Sequence, residues 1–118
     1  MSYLRKRKAA FSYAFKGIYR LFRYEAHARI HLVAAFCVVI AGFLFRLNST
    51  EWCIVCLCIG SVFVAEGFNT AIEKLADAVT RERSPLIGAA KDIAAGAVLL
   101  AALTTVVVAA IIFIPKIF

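Results

Sequence analysis

The sequence predicts an all-α membrane protein: an N-terminal interfacial amphipathic helix plus three transmembrane helices that assemble as a helical bundle. Three observations carry that expectation. Of the 118 residues 64% are hydrophobic, against about 45–50% in an ordinary soluble domain, and a soluble domain this small buries only about two-thirds of its surface. Residues 93–114 contain no charge at all. The 14 Lys and Arg and the 7 Asp and Glu gather at the ends of apolar runs. A cytosolic globular enzyme, a disulfide-stapled secreted scaffold and a disordered chain are thereby excluded.

Residues 1–24 hold Arg5, Lys6, Arg7, Lys8, Lys16, Arg20 and Arg23 and no acid. At about 100° per residue, Phe11, Phe15, Ile18 and Phe22 fall in a stripe about 60° wide, with Lys16, Arg20 and Arg23 on the other side. That is the pattern of a helix lying in the headgroup region. A basic arm with interleaved aromatics can also bind nucleic acid. The apolar stripe beside a membrane span favours the membrane surface, and no nucleic-acid partner is expected. The short apolar core and cleavage site of a signal peptide are missing.

The first span is placed at 25–47. Its apolar run, 32–45, crosses only if 26–31 continue the helix. Residues 48–50 form a polar turn, with Ser49 or Thr50 the expected N-cap of the second span, 51–79. That helix is apolar as far as Glu66 and then stays periodic and helix-compatible. Ser84-Pro85 ends the next loop and starts the third span, 86–114. Its uncharged stretch would extend roughly 33 Å, enough for a ~30 Å hydrocarbon core. Gly42, Gly60 and Gly96 suit close helix contacts. Residues 1–118 are read as one membrane-embedded domain. Cys37, Cys53, Cys56 and Cys58 lie inside apolar spans, where cysteine acts as a small hydrophobe. His27 and His31 could pair on a metal, but read better as polar residues at the mouth of the first span.

With three spans, the N-terminal segment and the 79–91 loop share one side. All bases except Arg46 and Lys116 belong to that side. The positive-inside rule then puts the N-terminus in the cytoplasm and the C-terminus outside. Every acid except Glu51 lies at the same end. Glu66, Asn69, Glu73 and Asp77 share one face of the second span, within an arc of about 80°. Facing lipid, each charge would cost about 2.5–3.5 kcal/mol, so these groups should meet protein, a polar cavity or a cation. Counted from Trp52 at the outer interface, Glu66 lies about 21 Å in, still roughly 9 Å short of the cytoplasmic surface. A carboxylate at that depth suits a general base, whereas Glu73, about 10 Å further on, can hold a hard cation. Glu25 and Arg29 stand at the mouth of the first span, and Lys91 and Asp92 open the third. Carboxylates for Mg²⁺, a lysine for phosphate and a deeper carboxylate facing lipid are the parts of phosphoryl transfer. No P-loop or protein-kinase glycine-rich loop accompanies them.

Glu66-x-x-Asn69-x-Ala71-Ile72-Glu73-x-x-x-Asp77, followed by Ala90-Lys91-Asp92, resembles the small prokaryotic integral-membrane diacylglycerol kinases and undecaprenol kinases. Tyr13-Ala-Phe-Lys16-Gly17-Ile and Glu25-x-x-x-Arg29-Ile30-His31 extend the resemblance upstream, so that it covers nearly the whole chain. It implies a kinase that moves the γ-phosphate of ATP to a membrane lipid alcohol. In these terms Glu66 is the base, and Glu25 and Glu73 hold Mg²⁺. Tyr13, Lys16, Gly17, Glu25, Glu73, Asp77, Glu82, Lys91 and Asp92 belong to the ATP site, while Arg29 and Asn69 contact substrate or shape the site. One of Arg5, Lys6 and Arg7 also matches a nucleotide-contacting arginine. A homotrimer with active sites between subunits, in the bacterial inner membrane, is implied as well.

The Arg29-Ile30-His31 element and the stretch from Lys91 to Leu99 look more like the undecaprenol branch. The diacylglycerol branch of Gram-negative bacteria typically has Gln-Glu where this chain has Ile30-His31. His27 departs from the Asn common in the undecaprenol branch. Undecaprenol is therefore the favoured acceptor and diacylglycerol the alternative. A proton-coupled multidrug transporter subunit is the competing class. Transporters place binding groups near the midplane, whereas these charges are piled at one face.

Overall fold

The computed structural model describes residues 2–82 and 84–118. Arg83, one of the bases assigned to the second loop, lies outside the described residues. Among the described residues four helices follow one another: α1 (Tyr3–Tyr24), α2 (Ala26–Leu44), α3 (Ser49–Val79) and α4 (Pro85–Ile117). Among the described residues there is no strand. Helices α2, α3 and α4 are each long and apolar enough to cross a membrane. Residues 26–31 do continue α2, which supplies the length that its apolar run lacks. Helix α4 runs through Pro115 near its end.

The α2–α3 turn is built from two local motifs. Helix α2 closes with Arg46 at φ 55°, its N–H on Phe43 O and the Leu47 N–H on Gly42 O. This is a Schellman closure, in which the left-handed residue is usually glycine. Leu47 then turns inward and is buried. Helix α3 starts from a capping box. The Asn48 side chain accepts from the Glu51 N–H at 2.9 Å, and the Glu51 carboxylate accepts from the Asn48 N–H at 3.1 Å. The cap is thus Asn48, not Ser49 or Thr50, because Asn48 alone precedes Glu51 by the three residues that the box requires.

The apolar core lies at this hairpin end. Leu47, Val55 and Ile112 are buried there, with Val38, Trp52, Ile59, Val108 and Phe113 packed against them. Gly42 lets Trp52 pack close against α2: a Cβ at Gly42 would sit 2.5 Å from Cη2 of the indole. Gly60 and Gly96 have nothing within 4 Å of a virtual Cβ, so they form no close contact within one chain. Lys116 closes the same end with an ion pair to Glu51 at 3.2 Å.

At the opposite, basic end the contacts are sparser. Buried Ala76 and Ala94 lie on α3 and α4 respectively. Helix α1 docks through Leu21 and Phe22, and the Phe22 ring meets Phe63 edge-on at 5.2 Å. The rest of its aromatic stripe is bare, with Phe11 66% and Phe15 69% exposed. That exposure is expected of a helix whose apolar side is meant for lipid. The corner between α1 and α2 is held by Glu25 and Arg29. The Glu25 N–H caps Leu21 O, while Arg29 Nη1 donates to Arg23 O at 2.7 Å and to Phe22 O at 3.4 Å. Arg29 is therefore spent, in this chain, on the last carbonyls of α1.

Candidate active site

Helix α3 is the spine of the site. Its basic half presents Glu66, Asn69, Glu73, Lys74 and Asp77 over about 17 Å of rise, and each neighbouring helix contributes one partner. Deepest is Glu66, 3% exposed and the one buried polar residue among the described residues. Its Oε1 lies 3.1 Å from His31 Nε2 on α2. A buried carboxylate needs such a partner, since an unpaired charge away from water is strongly disfavoured.

One turn beyond, Asn69 keeps its Oδ1 buried with no hydrogen-bond partner. Lys74 Nζ then approaches Glu25 Oε1 at 3.7 Å. The lysine is 65% exposed, so this pair adds little to stability. Its consequence is positional: the Glu25 carboxylate is drawn toward the turn of α3 that carries Glu73. At the top, Lys91 Nζ donates to Asp77 Oδ1 at 2.7 Å. That bond joins α3 to the start of α4 and fixes the ammonium at the bundle's edge. Glu73, Glu82 and Asp92 are exposed.

The structure therefore brings Glu66, Glu25, Asp77 and Lys91 onto α3 or into contact with it. Tyr13, Lys16 and Gly17 lie on exposed α1 and take no part in these pairs; there the Lys16 ammonium stands 5.8 Å from the Tyr13 ring centroid. Arg7 similarly covers Tyr3, and the Arg5 backbone N–H is used by Ser2. Among the described residues no three metal-ligating side chains cluster. Two carboxylates are nonetheless what Mg²⁺ usually takes from protein when phosphate and water supply its other ligands. Glu25 and Glu73 are oxygen donors of that kind, Glu73 exposed and Glu25 half-buried. All four cysteines are free, and Cys37, Cys53 and Cys56 are exposed on apolar helix faces.

Beside this spine, α1 and α3 enclose an open apolar groove of about 940 Å³, lined by Gly17, Leu21, Phe63, Gly67 and Phe68, with Arg20 and Lys74 among its walls. It follows the face of α3 next to the one that carries Glu66.

Two features escaped the sequence. His31 and Glu66 are about equally far from Asn48, one before and one after. A hairpin places such residues at similar depth, but depth alone does not say that they face each other. Lys74 gave no signal beyond being a base beside Glu73.

Three helices long and apolar enough to cross a membrane, with carboxylates and lysines gathered at one end, define a multi-pass membrane protein. Residues 12–113 match the family model described as prokaryotic diacylglycerol kinase, and the chain belongs to that family. It is an ATP-dependent lipid kinase. Over 107 residues it is 43% identical to the undecaprenol kinase of Bacillus subtilis (strain 168), a match spanning 91% of this chain and 87% of that one. Over 107 residues it is also 35% identical to the diacylglycerol kinase of Synechocystis, spanning 90% of this chain and 61% of that longer one. The transporter reading falls with these matches.

Proposed function

We propose that this kinase phosphorylates undecaprenol, with Glu66 as the general base. The observation that carries the reading is the burial of Glu66 within a membrane-crossing helix, 3% exposed, with more accessible carboxylates and Lys91 further along α3 and at its end. A lipid hydroxyl reaches the first level from the bilayer, and a nucleotide reaches the second from water. The Glu66 carboxylate takes the hydroxyl proton as the oxygen bonds to the γ-phosphorus. The bond from that phosphorus to the bridging oxygen breaks, and ADP leaves with the electron pair. Lys91 and Lys16 offer positive charge to the phosphates, and Asp77 orients Lys91. Glu25 and Glu73 would hold Mg²⁺, which would neutralise negative charge on the nucleotide phosphates. Asn69 shapes the space between the two levels, and the groove between α1 and α3 accommodates the polyprenyl chain.

The name of the Bacillus subtilis relative and the Arg29-Ile30-His31 element support undecaprenol over diacylglycerol. The basic residues support a cytoplasmic N-terminus and an outside C-terminus in the bacterial inner membrane. A homotrimer is supported by the exposure of Tyr13, Lys16, Glu73 and Asp92 on one chain, which a neighbouring subunit would enclose. The test is transfer of labelled γ-phosphate from ATP in mixed micelles containing either alcohol. Undecaprenol should be labelled at the higher kcat/KM; preferential labelling of diacylglycerol would overturn the assignment of acceptor.

A further inference from the structure

The seam between α2 and α3 is apolar along its length except at one level. On α2 the residues Ala28, His31, Ala35, Val38 and Gly42 recur at helical spacing on one face, and α3 answers with buried Val55, Val62 and Glu66. The other polar side chains near the start of α2 are accounted for. His27 is exposed, and Arg29 caps α1. His31 alone turns into the seam, with Nε2 3.1 Å from Glu66 Oε1. Its inner side borders a small apolar cavity of about 60 Å³ that includes Val38, Ile59, Val62 and Thr105. The Thr105 hydroxyl there is already committed to Ala101 O at 2.9 Å. Among the described residues, the ionisable group within reach of the imidazole is the Glu66 carboxylate.

We propose that His31 is the positioning residue of the base: by donating Nε2–H to Oε1 of Glu66, it leaves Oε2 as the oxygen that receives the lipid hydroxyl's proton. The proposal rests on Glu66 being that base. A glutamate has three side-chain torsions, and a carboxylate anchored at one oxygen can no longer swing. The proton moves from the lipid hydroxyl to Oε2 while the His31 hydrogen bond stays in place, so the imidazole neither gains nor loses a proton in the step. Holding a reacting group to within about 1 Å is worth on the order of 100-fold in rate.

The experiment compares full-length wild type, His31→Leu, His31→Gln and Glu66→Gln in mixed micelles, with kcat and the KM for ATP measured separately. A glutamine amide can place an N–H close to where Nε2 stands, whereas leucine fills the space without a donor. His31→Leu should lower kcat about 10–100-fold with the KM for ATP changed by no more than about twofold. His31→Gln should recover kcat to within about fivefold of wild type. Wild-type turnover in His31→Leu, or equal impairment of the Leu and Gln variants, would overturn the proposal. If the leucine variant fails to reach the membrane, the glutamine variant decides: kcat within that fivefold limit supports the donor, and a larger loss overturns it. Glu66→Gln separates the two levels of inference. Full activity in that variant removes the base itself; an inactive Glu66→Gln beside a fully active His31→Leu leaves the base and removes only His31.

Discussion

Replacing Gly42 by alanine should loosen the hairpin that sets α2 against α3. The added Cβ would lie 2.5 Å from Trp52 Cη2, 3.0 Å from Cζ2 and 3.1 Å from Leu47 Cδ1. All three contacts are shorter than ordinary van der Waals separation, and both neighbours are wedged. Leu47 is 8% exposed and in the core, and Trp52 packs on that core and against Phe43 at 4.9 Å between ring centroids. Overpacking of this kind costs about 1–3 kcal/mol, whereas alanine regains up to about 1 kcal/mol of helix propensity. The net expectation is destabilisation by up to about 2 kcal/mol. Trp52 is the chain's single tryptophan, so its emission during SDS-driven unfolding in mixed micelles reads the hairpin directly. The emission of folded Gly42→Ala should also shift, because the indole must tilt. Gly88→Ala, where nothing lies within 4 Å, serves as the control and should be neutral or slightly stabilising. A Gly42→Ala protein as stable as wild type, with unchanged emission, would refute the packing argument.

Other consequences follow from single contacts. Arg46 has φ 55°, and Arg46→Gly should stabilise the fold by about 0.5–1 kcal/mol in the same unfolding assay, by relieving the left-handed residue. Asn48→Ala removes the acceptor of the capping box and should cost about 1 kcal/mol. Lys91→Gln removes the ammonium that Asp77 holds at 2.7 Å. It should raise the KM for ATP about 10–100-fold, the worth of a charge-assisted hydrogen bond to phosphate, as read by steady-state kinetics over a wide ATP range.

The helices were legible because apolar runs bounded by charge leave few alternatives, and because α3 keeps its period beyond Glu66. The face shared by Glu66, Asn69, Glu73 and Asp77 follows from that period alone. What remained hidden is rotation. Helix α2 is apolar nearly all round, so its sequence does not say which side meets α3, and the pairing of His31 with Glu66 depends on that choice. Arg29 was hidden for a related reason. A long side chain at a helix start can reach a ligand or the carbonyls of the preceding helix, and here the α1–α2 corner brings the carbonyls within 2.7 Å. Gly60 and Gly96 looked like contact residues, yet among the described residues nothing lies within 4 Å of where a Cβ would stand at either. Small residues in a span show that a close contact is possible, not which surface makes it.

Replacing Glu66 by its isosteric amide removes the base while keeping the shape of the side chain. Labelled γ-phosphate transfer to undecaprenol would be followed for wild type and Glu66→Gln, with nucleotide binding measured alongside. The predicted result is a loss of about 10²–10⁴-fold in turnover, the usual worth of a general base, with ATP affinity retained. Turnover within about tenfold of wild type would contradict that role.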